Sequence, residues 1–377
     1  MDKTSISYQI KQYTNDLISQ GLYRKREIHD EHKDIINFSS NDYLGLSSEK
    51  NLSEAYQQGF ARYKSGSTGS MVVCGYHNIH KELEQEFKTA LKVDDCLIFP
   101  SGYAANLSVM ALLSHFKINM LIDKGVHASI YDGLKYSNAK YIRFLHNNLS
   151  DLALKINKSL KTSVIITESI FSMSGQISPL KELSKFINDN IEGLIVDEAH
   201  AFGVIGREGL GAVEQDNLSQ DLVPLRIIPF GKAMAASGAI VAGSGEWIDA
   251  LLQLSRPYIY STAISPAYTY GILKSFEIIR AADSRRAKLR ELIYYFRSCI
   301  NSSGHKWRDS SSPIQQLQLG CPEKALAYSL KLRDSSIICA PMRQPTVSKS
   351  ETGLRVILNY NHSFEQIDSL FEVLNKL

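Results

Sequence analysis

Three ionisable residues stand where strongly apolar runs end. Asp197 and His200 lie three residues apart in GLIVDEAHAFGVIG (193–206), and Lys232 follows the next apolar run in PFGKAMAASGA (229–239). The letters DEAH also occur in the metal-gripping box of nucleic-acid-dependent NTPases. That chemistry needs an upstream loop of the form G-x-x-x-x-G-K-[ST], whose amides and lysine hold the phosphates. The chain has no such loop: Gly231-Lys232 lies downstream, is followed by Ala233 and lacks the earlier glycine. The aspartate, histidine and lysine therefore need another explanation.

Lys232 is surrounded by small or apolar residues with no second charge in FGKAMAASGA. An amine in that setting has a lowered pKa and suits an imine-forming nucleophile; the competing reading is a lysine whose stem lies along the surface with its head in water. An imine cofactor of the pyridoxal-phosphate type makes three further demands. A buried carboxylate must keep the ring nitrogen protonated, and Asp197 is placed for it. A phosphate dianion needs backbone amides at a helix N-terminus. FPSGYAANLSVMALL supplies them, with a strand ending at Pro100, a turn at Ser101 and Gly102, and a helix starting beside Tyr103. The ring also needs a flat group over its face, for which His127 in DKGVHASIYDG and Tyr103 compete. Singly, Ser101 reads equally well as a helix cap, and His127 or His200 as core histidines. Their joint placement after successive strands favours a site.

The positioning elements follow from the apolar runs at 96–99, 120–122, 141–145, 164–167, 193–196, 227–230 and 239–242. Runs this short, rich in Val, Ile and Leu and separated by amphipathic stretches, predict an α/β fold with a mainly parallel seven-stranded sheet. Ligands of such sheets sit outside the carboxyl ends of the strands. After Pro266 the texture changes to a long charged stretch, read as one helix over 267–302. It leads into a smaller C-terminal α/β unit with strands at 314–319, 337–339 and 354–358. The expected organisation is an N-terminal helical segment (1–46), a large cofactor-binding domain (47–270) and a small domain with its connecting helix (271–377).

With 44% hydrophobic and 21% charged residues the composition is that of a soluble globular protein, and a net charge of +3 over 377 residues implies neither a nucleic-acid nor a membrane partner. Five cysteines, none two residues from another, argue against a disulfide framework or thiolate zinc site and fit a reducing cytoplasm. No signal peptide or membrane span is expected. His77 and His80 lack the glutamate spacing of H-E-x-x-H, so no metal is expected, and the following KELEQEF reads as a solvated helix face. The basic runs YRKR (23–26) and SRRAKLR (284–290) read as solvated surface, or as a docking face for an acidic partner.

The ordered segments SSNDYLGLS, GSTGS, FPSGYAAN, HASIYDG, TESIFSMSG, IVDEAHAFGVIG, FGKAMAASGA, YIYSTAISP and RQPTVSKSETGLRVIL run over nearly the whole chain. In these the chain closely resembles the α-oxoamine synthases, a pyridoxal-phosphate family of the aspartate-aminotransferase fold (fold type I). The resemblance implies that Lys232 is the Schiff-base lysine, Asp197 the partner of the ring nitrogen and His200 the donor to the ring oxygen. It implies further that His127 stacks on the ring, that Ser172 is another cofactor contact, and that Gly102 and Tyr103 form the phosphate turn. Thr262 resembles a threonine that reaches the phosphate in a neighbouring subunit, implying a homodimer with shared active sites. Asn41 and Arg355 are similar to the groups that meet the amino-acid carboxylate, and Arg24 and Thr346 to the contacts of the acyl substrate. FLHNN, SSSPIQQLQLG and RQPTV resemble the members that condense L-alanine with a pimeloyl thioester, on coenzyme A or an acyl carrier protein, more than those that use glycine with acetyl-CoA or succinyl-CoA.

Three positions depart from the family pattern. Pro229 stands where a phosphate-binding hydroxyl is usual, and proline offers neither hydroxyl nor N–H, so weaker cofactor retention is expected. Met71 stands where relatives often have Arg or His, and Ala235 where many have Gly.

Overall fold

The computed structural model describes residues 5–26, 28, 35–157 and 162–377. Its strands run in chain order as β1 (Ile36–Asn37), β2 (Asp95–Phe99), β3 (Asn119–Asp123), β4 (Tyr141–Phe144), β5 (Ser163–Glu168), β6 (Ile191–Asp197), β7 (Leu225–Pro229), β8 (Ala239–Gly243), β9 (Ile314–Gln318), β10 (Ile337–Ile338), β11 (Ala340–Met342) and β12 (Gly353–Ile357). The chain divides into a larger unit, Asn41–Ser172 with Gln176–Leu289, and a smaller one made of the described part of Met1–Ser40, Met173–Gly175 and Arg290–Leu377. These borders differ from the sequence reading. Residues 271–289 stay with the larger unit because the helix Pro266–Arg280 packs on the helix Lys50–Arg62. A Cβ on Gly59 would lie 2.2 Å from the Ala267 carbonyl oxygen, so only glycine permits that approach.

The larger unit holds a seven-stranded sheet of order β2-β8-β7-β6-β5-β3-β4. All neighbouring pairs from β7 through β4 are parallel, while β8 runs antiparallel to both β2 and β7. The mainly parallel sheet predicted from the apolar runs is therefore present. Every residue of β5 and of β8 is buried, as expected for strands covered on both faces, which read as continuous apolar runs. The register pairs Glu168 with Asp197, so two carboxyl groups end adjacent strands side by side.

Three sequence expectations change. The helix expected over 267–302 is two helices, Pro266–Arg280 and Asp283–Asn301. The break is held by Arg286, whose guanidinium donates to the carbonyls of Ile279 and Arg280 and to the Asp283 carboxylate. Arg285 donates to the Leu44 carbonyl and pairs with Glu49. The SRRAKLR run thus spends two arginines inside the larger unit, which withdraws both from any docking face. KELEQEF is not wholly solvated either: Leu83, Glu84 and Phe87 are buried in the helix Asn78–Leu91.

In the smaller unit β11, β12 and β9 form an antiparallel sheet, and β10 pairs in parallel with β1. Strands β1 and β11, of two and three residues, are too short for periodicity to reveal. Phe296, Trp307 and Phe371 meet in this unit's core at centroid separations of 5.0–5.8 Å. Among the described residues no helix is long and apolar enough to cross a membrane, and no group of three or more His, Cys, Asp or Glu side chains is disposed to hold a metal ion.

Candidate active site

At the carboxyl ends of β5, β6 and β7 the larger unit encloses a cavity of about 360 Å³, lined by residues that include Gly102, Tyr103, His127, Asp197, His200 and Lys232. Six of the residues singled out from sequence thus share one cavity. The topology brings them there: in a parallel sheet every crossover returns to the same edge, so the turns after successive strands meet.

The helix Gly102–His115 begins at this cavity. Ser101 is its N-cap, its hydroxyl accepting from the Ala104 N–H at 3.1 Å. A capped 14-residue helix leaves its first amides and the positive end of its dipole for an anion. A Cβ at Gly102 would lie 2.5 Å from Pro229 Cγ, so glycine lets the turn close against the proline ring. Tyr103 is exposed, and its hydroxyl donates to Asp132.

Asp197 ends β6 and is buried. Its Oδ1 accepts from the Ala199 N–H at 2.9 Å and its Oδ2 from the Asn106 amide at 2.8 Å. The same Asn106 amide nitrogen donates to Ser129 Oγ at 3.0 Å, and Ser129 Oγ lies 2.8 Å from His127 Nδ1. His127 caps the helix Ala128–Tyr136, its Nδ1 accepting from the Ser129 N–H. That bond places the neutral ring's proton on Nε2. The residue stands open at the cavity mouth, yet the surrounding walls withdraw enough water to lower its pKa. The Lys232 charge acts the same way, opposed by Asp197 and Asp132.

His200 is buried, with Nδ1 2.6 Å from the hydroxyl of buried Tyr43; the Tyr43 hydroxyl is 3.3 Å from Asn41 Oδ1. Lys232 lies in the loop joining β7 to β8. Backbone bonds from Ala235 N–H to the Lys232 carbonyl and from Ala236 N–H to the Phe230 carbonyl hold that loop. Ala235 has φ +48°, the left-handed region in which glycine is at ease.

The remaining sequence candidates are not among the residues that line this cavity. Ser172 is buried and does not line the cavity; its N–H donates to Glu168 Oε2 at 3.0 Å. Thr262 is exposed on the larger unit. In the smaller unit Arg24 Nη2 lies 3.5 Å from Thr346 Oγ1, and Arg355 is buried in β12. Sequence reasoning missed Asn106, Ser129, Glu168 and Tyr43. A signal existed for two: Asn106 is a polar residue inside the apolar helix run NLSVMALL, and Glu168 closes the apolar strand SVIITE.

Comparison with known proteins shows the family of the chain. The family model for aminotransferase class I and II matches residues 33–374. The chain is 35% identical over 365 residues to 8-amino-7-oxononanoate synthase of Marinobacter nauticus, covering 94% of this chain and 93% of that one. Against the enzyme of the same name from Methylococcus capsulatus it is 37% identical, covering 90% and 88%. The crystal structure of 8-amino-7-oxononanoate synthase from Francisella tularensis superposes with a TM-score of 0.82 at 34% identity, covering 92% of this chain and 98% of that one. Serine palmitoyltransferase from S. paucimobilis, at 23% identity, shares the fold with a TM-score of 0.90 over 98% of this chain and 96% of its own; it holds PLP as an aldimine with myriocin.

Proposed function

The chain belongs to the aminotransferase class I and II family, and from that premise we propose that it is a pyridoxal-phosphate-dependent acyltransferase of biotin biosynthesis. It condenses L-alanine with a pimeloyl thioester to give 8-amino-7-oxononanoate, carbon dioxide and the free thiol carrier. The observation that carries this reading is the gathering of Lys232, Asp197, His200 and His127 on one cavity beside the N-terminus of the helix Gly102–His115.

The donor set fits the cofactor, because the cavity offers an amine for an aldehyde, a helix N-terminus for a phosphate and a buried carboxyl for a ring nitrogen. When bound, pyridoxal phosphate supplies an electrophilic aldehyde carbon and a ring that withdraws electrons from the substrate's α-carbon. Lys232 Nζ would hold that aldehyde and would serve as the base that takes the amino acid's α-proton. Asp197 spends one lone pair of each oxygen on Ala199 and Asn106 and keeps the others for the ring N–H. His200 shares a hydrogen bond between Nδ1 and the Tyr43 hydroxyl, and in the tautomer that carries the proton on Nε2 it would offer that proton to the ring oxygen. His127 would cover a ring face, and the amides of Gly102 and Tyr103 would bind the phosphate.

Asn41 and Arg355 hold the amino-acid carboxylate, for which a guanidinium's paired donors are suited, while Arg24 and Thr346 meet the acyl chain. Exposed Thr262 is free to serve the phosphate of a partner chain in a homodimer. If the acyl group arrives on a carrier protein, the exposed run 23–26 is the basic face left to receive it. Borohydride reduction of the cofactor-loaded protein tests the reading, since it fixes the imine as a stable secondary amine. Peptide mapping should find the pyridoxyl group on Lys232; a label on another lysine overturns the assignment.

A further inference from the structure

Glu168 is the group in the cavity wall that the reaction above does not use. It is 1% exposed, ends β5 and stands in register with Asp197 on β6. The two carboxyl groups are not equally supported. Asp197 accepts from a backbone N–H and a side-chain amide, one on each oxygen. Glu168 Oε2 accepts from the Ser172 N–H and the His127 backbone N–H also faces the carboxyl, whereas Oε1, buried at the cavity wall, makes no hydrogen bond among the described residues. Two adjacent carboxyl groups that both face one small cavity do not readily share two charges, and the less solvated one keeps its proton. Burial is the largest influence raising the Glu168 pKa, and Asp197 adds to it. The Ser172 and His127 amides and the Lys232 charge act in the opposite sense without overcoming it. His200, the His127 imidazole and the Tyr103 hydroxyl are the other titratable groups on this wall.

We infer that Glu168 works as a neutral carboxylic acid whose Oε1 hydroxyl donates a hydrogen bond into the cavity, to an oxygen acceptor on the bound cofactor, and so positions that ring against Asp197. A neutral acid explains the buried Oε1: it is a donor awaiting an acceptor, where an ionised oxygen there would be a buried charge without a partner. The inference rests on the cofactor reading above, and its test separates the two.

Infrared difference spectroscopy between wild type and Glu168→Gln at neutral pH should show a protonated carboxyl carbonyl band that is lost in the variant. The band should move to lower frequency when pyridoxal phosphate is added. The dissociation constant for pyridoxal phosphate, read by absorbance, should change less than about twofold in Glu168→Gln, which keeps a neutral donor of the same shape. It should rise about tenfold in Glu168→Leu, which removes the donor. A carboxylate band in place of the carbonyl band overturns the proposal, as does equal cofactor affinity of the Gln and Leu variants. The infrared result stands even if the Leu variant does not fold. A wild-type protein that fails to bind pyridoxal phosphate, with the carbonyl band present, overturns the cofactor reading and the donor role but leaves Glu168 neutral.

Discussion

Asn106 bridges Asp197 and Ser129 through a single amide nitrogen, and its own Oδ1 is buried without a partner among the described residues. Asn106→Leu keeps the volume but removes the donor, and losing a hydrogen bond to a charged group costs about 1.5–3 kcal/mol. Urea unfolding should register a loss of that size, and a midpoint equal to wild type would show that Asp197 does not depend on this bond. Ala235 carries the opposite sign. A non-glycine residue at φ +48° is strained, so Ala235→Gly relieves roughly 1–2 kcal/mol in the fold while adding freedom to the unfolded chain. The expected net gain is up to about 1 kcal/mol by the same measurement. His127 has a lowered pKa, so the fold favours its neutral form. Its contribution to stability is complete above the pKa of a free imidazole and declines as pH falls below it; imidazole NMR should place its midpoint below that of a free histidine. Lys232, Asp197 and His200 could be read from sequence because each is polar just after an apolar run. Asn106 and Glu168 left a fainter signal, because Asn106 sits inside an apolar run and Glu168 closes one, where residue type alone suggests an ordinary core polar group.

The helix Asn78–Leu91 places Glu84 in the core, accepting from the Tyr76 hydroxyl at 2.6 Å and the Ile98 N–H at 3.2 Å. Burial pushes its pKa up to about 7. Between the unfolded value near 4.5 and about 7 the native state keeps a proton that the unfolded chain releases, so stability falls as pH rises through that window and levels off above it. The fall amounts to roughly 3 kcal/mol, and Glu84→Gln should lose less stability between pH 5 and 8 than wild type. Equal slopes in denaturant titrations at the two pH values would place the Glu84 proton elsewhere. The helix break at 281–282 depends on Arg286, which is 2% exposed. Arg286→Met should cost about 2–4 kcal/mol by stranding the carbonyls it serves. At this scale the sheet was readable because its buried strands are continuous apolar runs. The break was not, because helix propensity runs through Ala281 and Ala282 without a glycine or proline, and a charged run gives no hint that one arginine is internal.

A homodimer with shared sites makes a prediction that no single chain can meet. Lys232→Ala and Thr262→Glu should each be nearly inactive alone, the second because its carboxylate repels the phosphate. Mixed and refolded together in equal amounts, they should recover about a quarter of wild-type activity, because half the dimers are mixed and each holds one intact site. No recovery would mean that each chain completes its own site.

Free-thiol release by the purified protein, loaded with pyridoxal phosphate, tests the central claim most directly. One reaction holds a pimeloyl thioester with L-alanine and the other acetyl-CoA with glycine. The account predicts release in the first and none in the second. Release confined to the second would contradict the proposed substrates while leaving the cavity and its lysine in place.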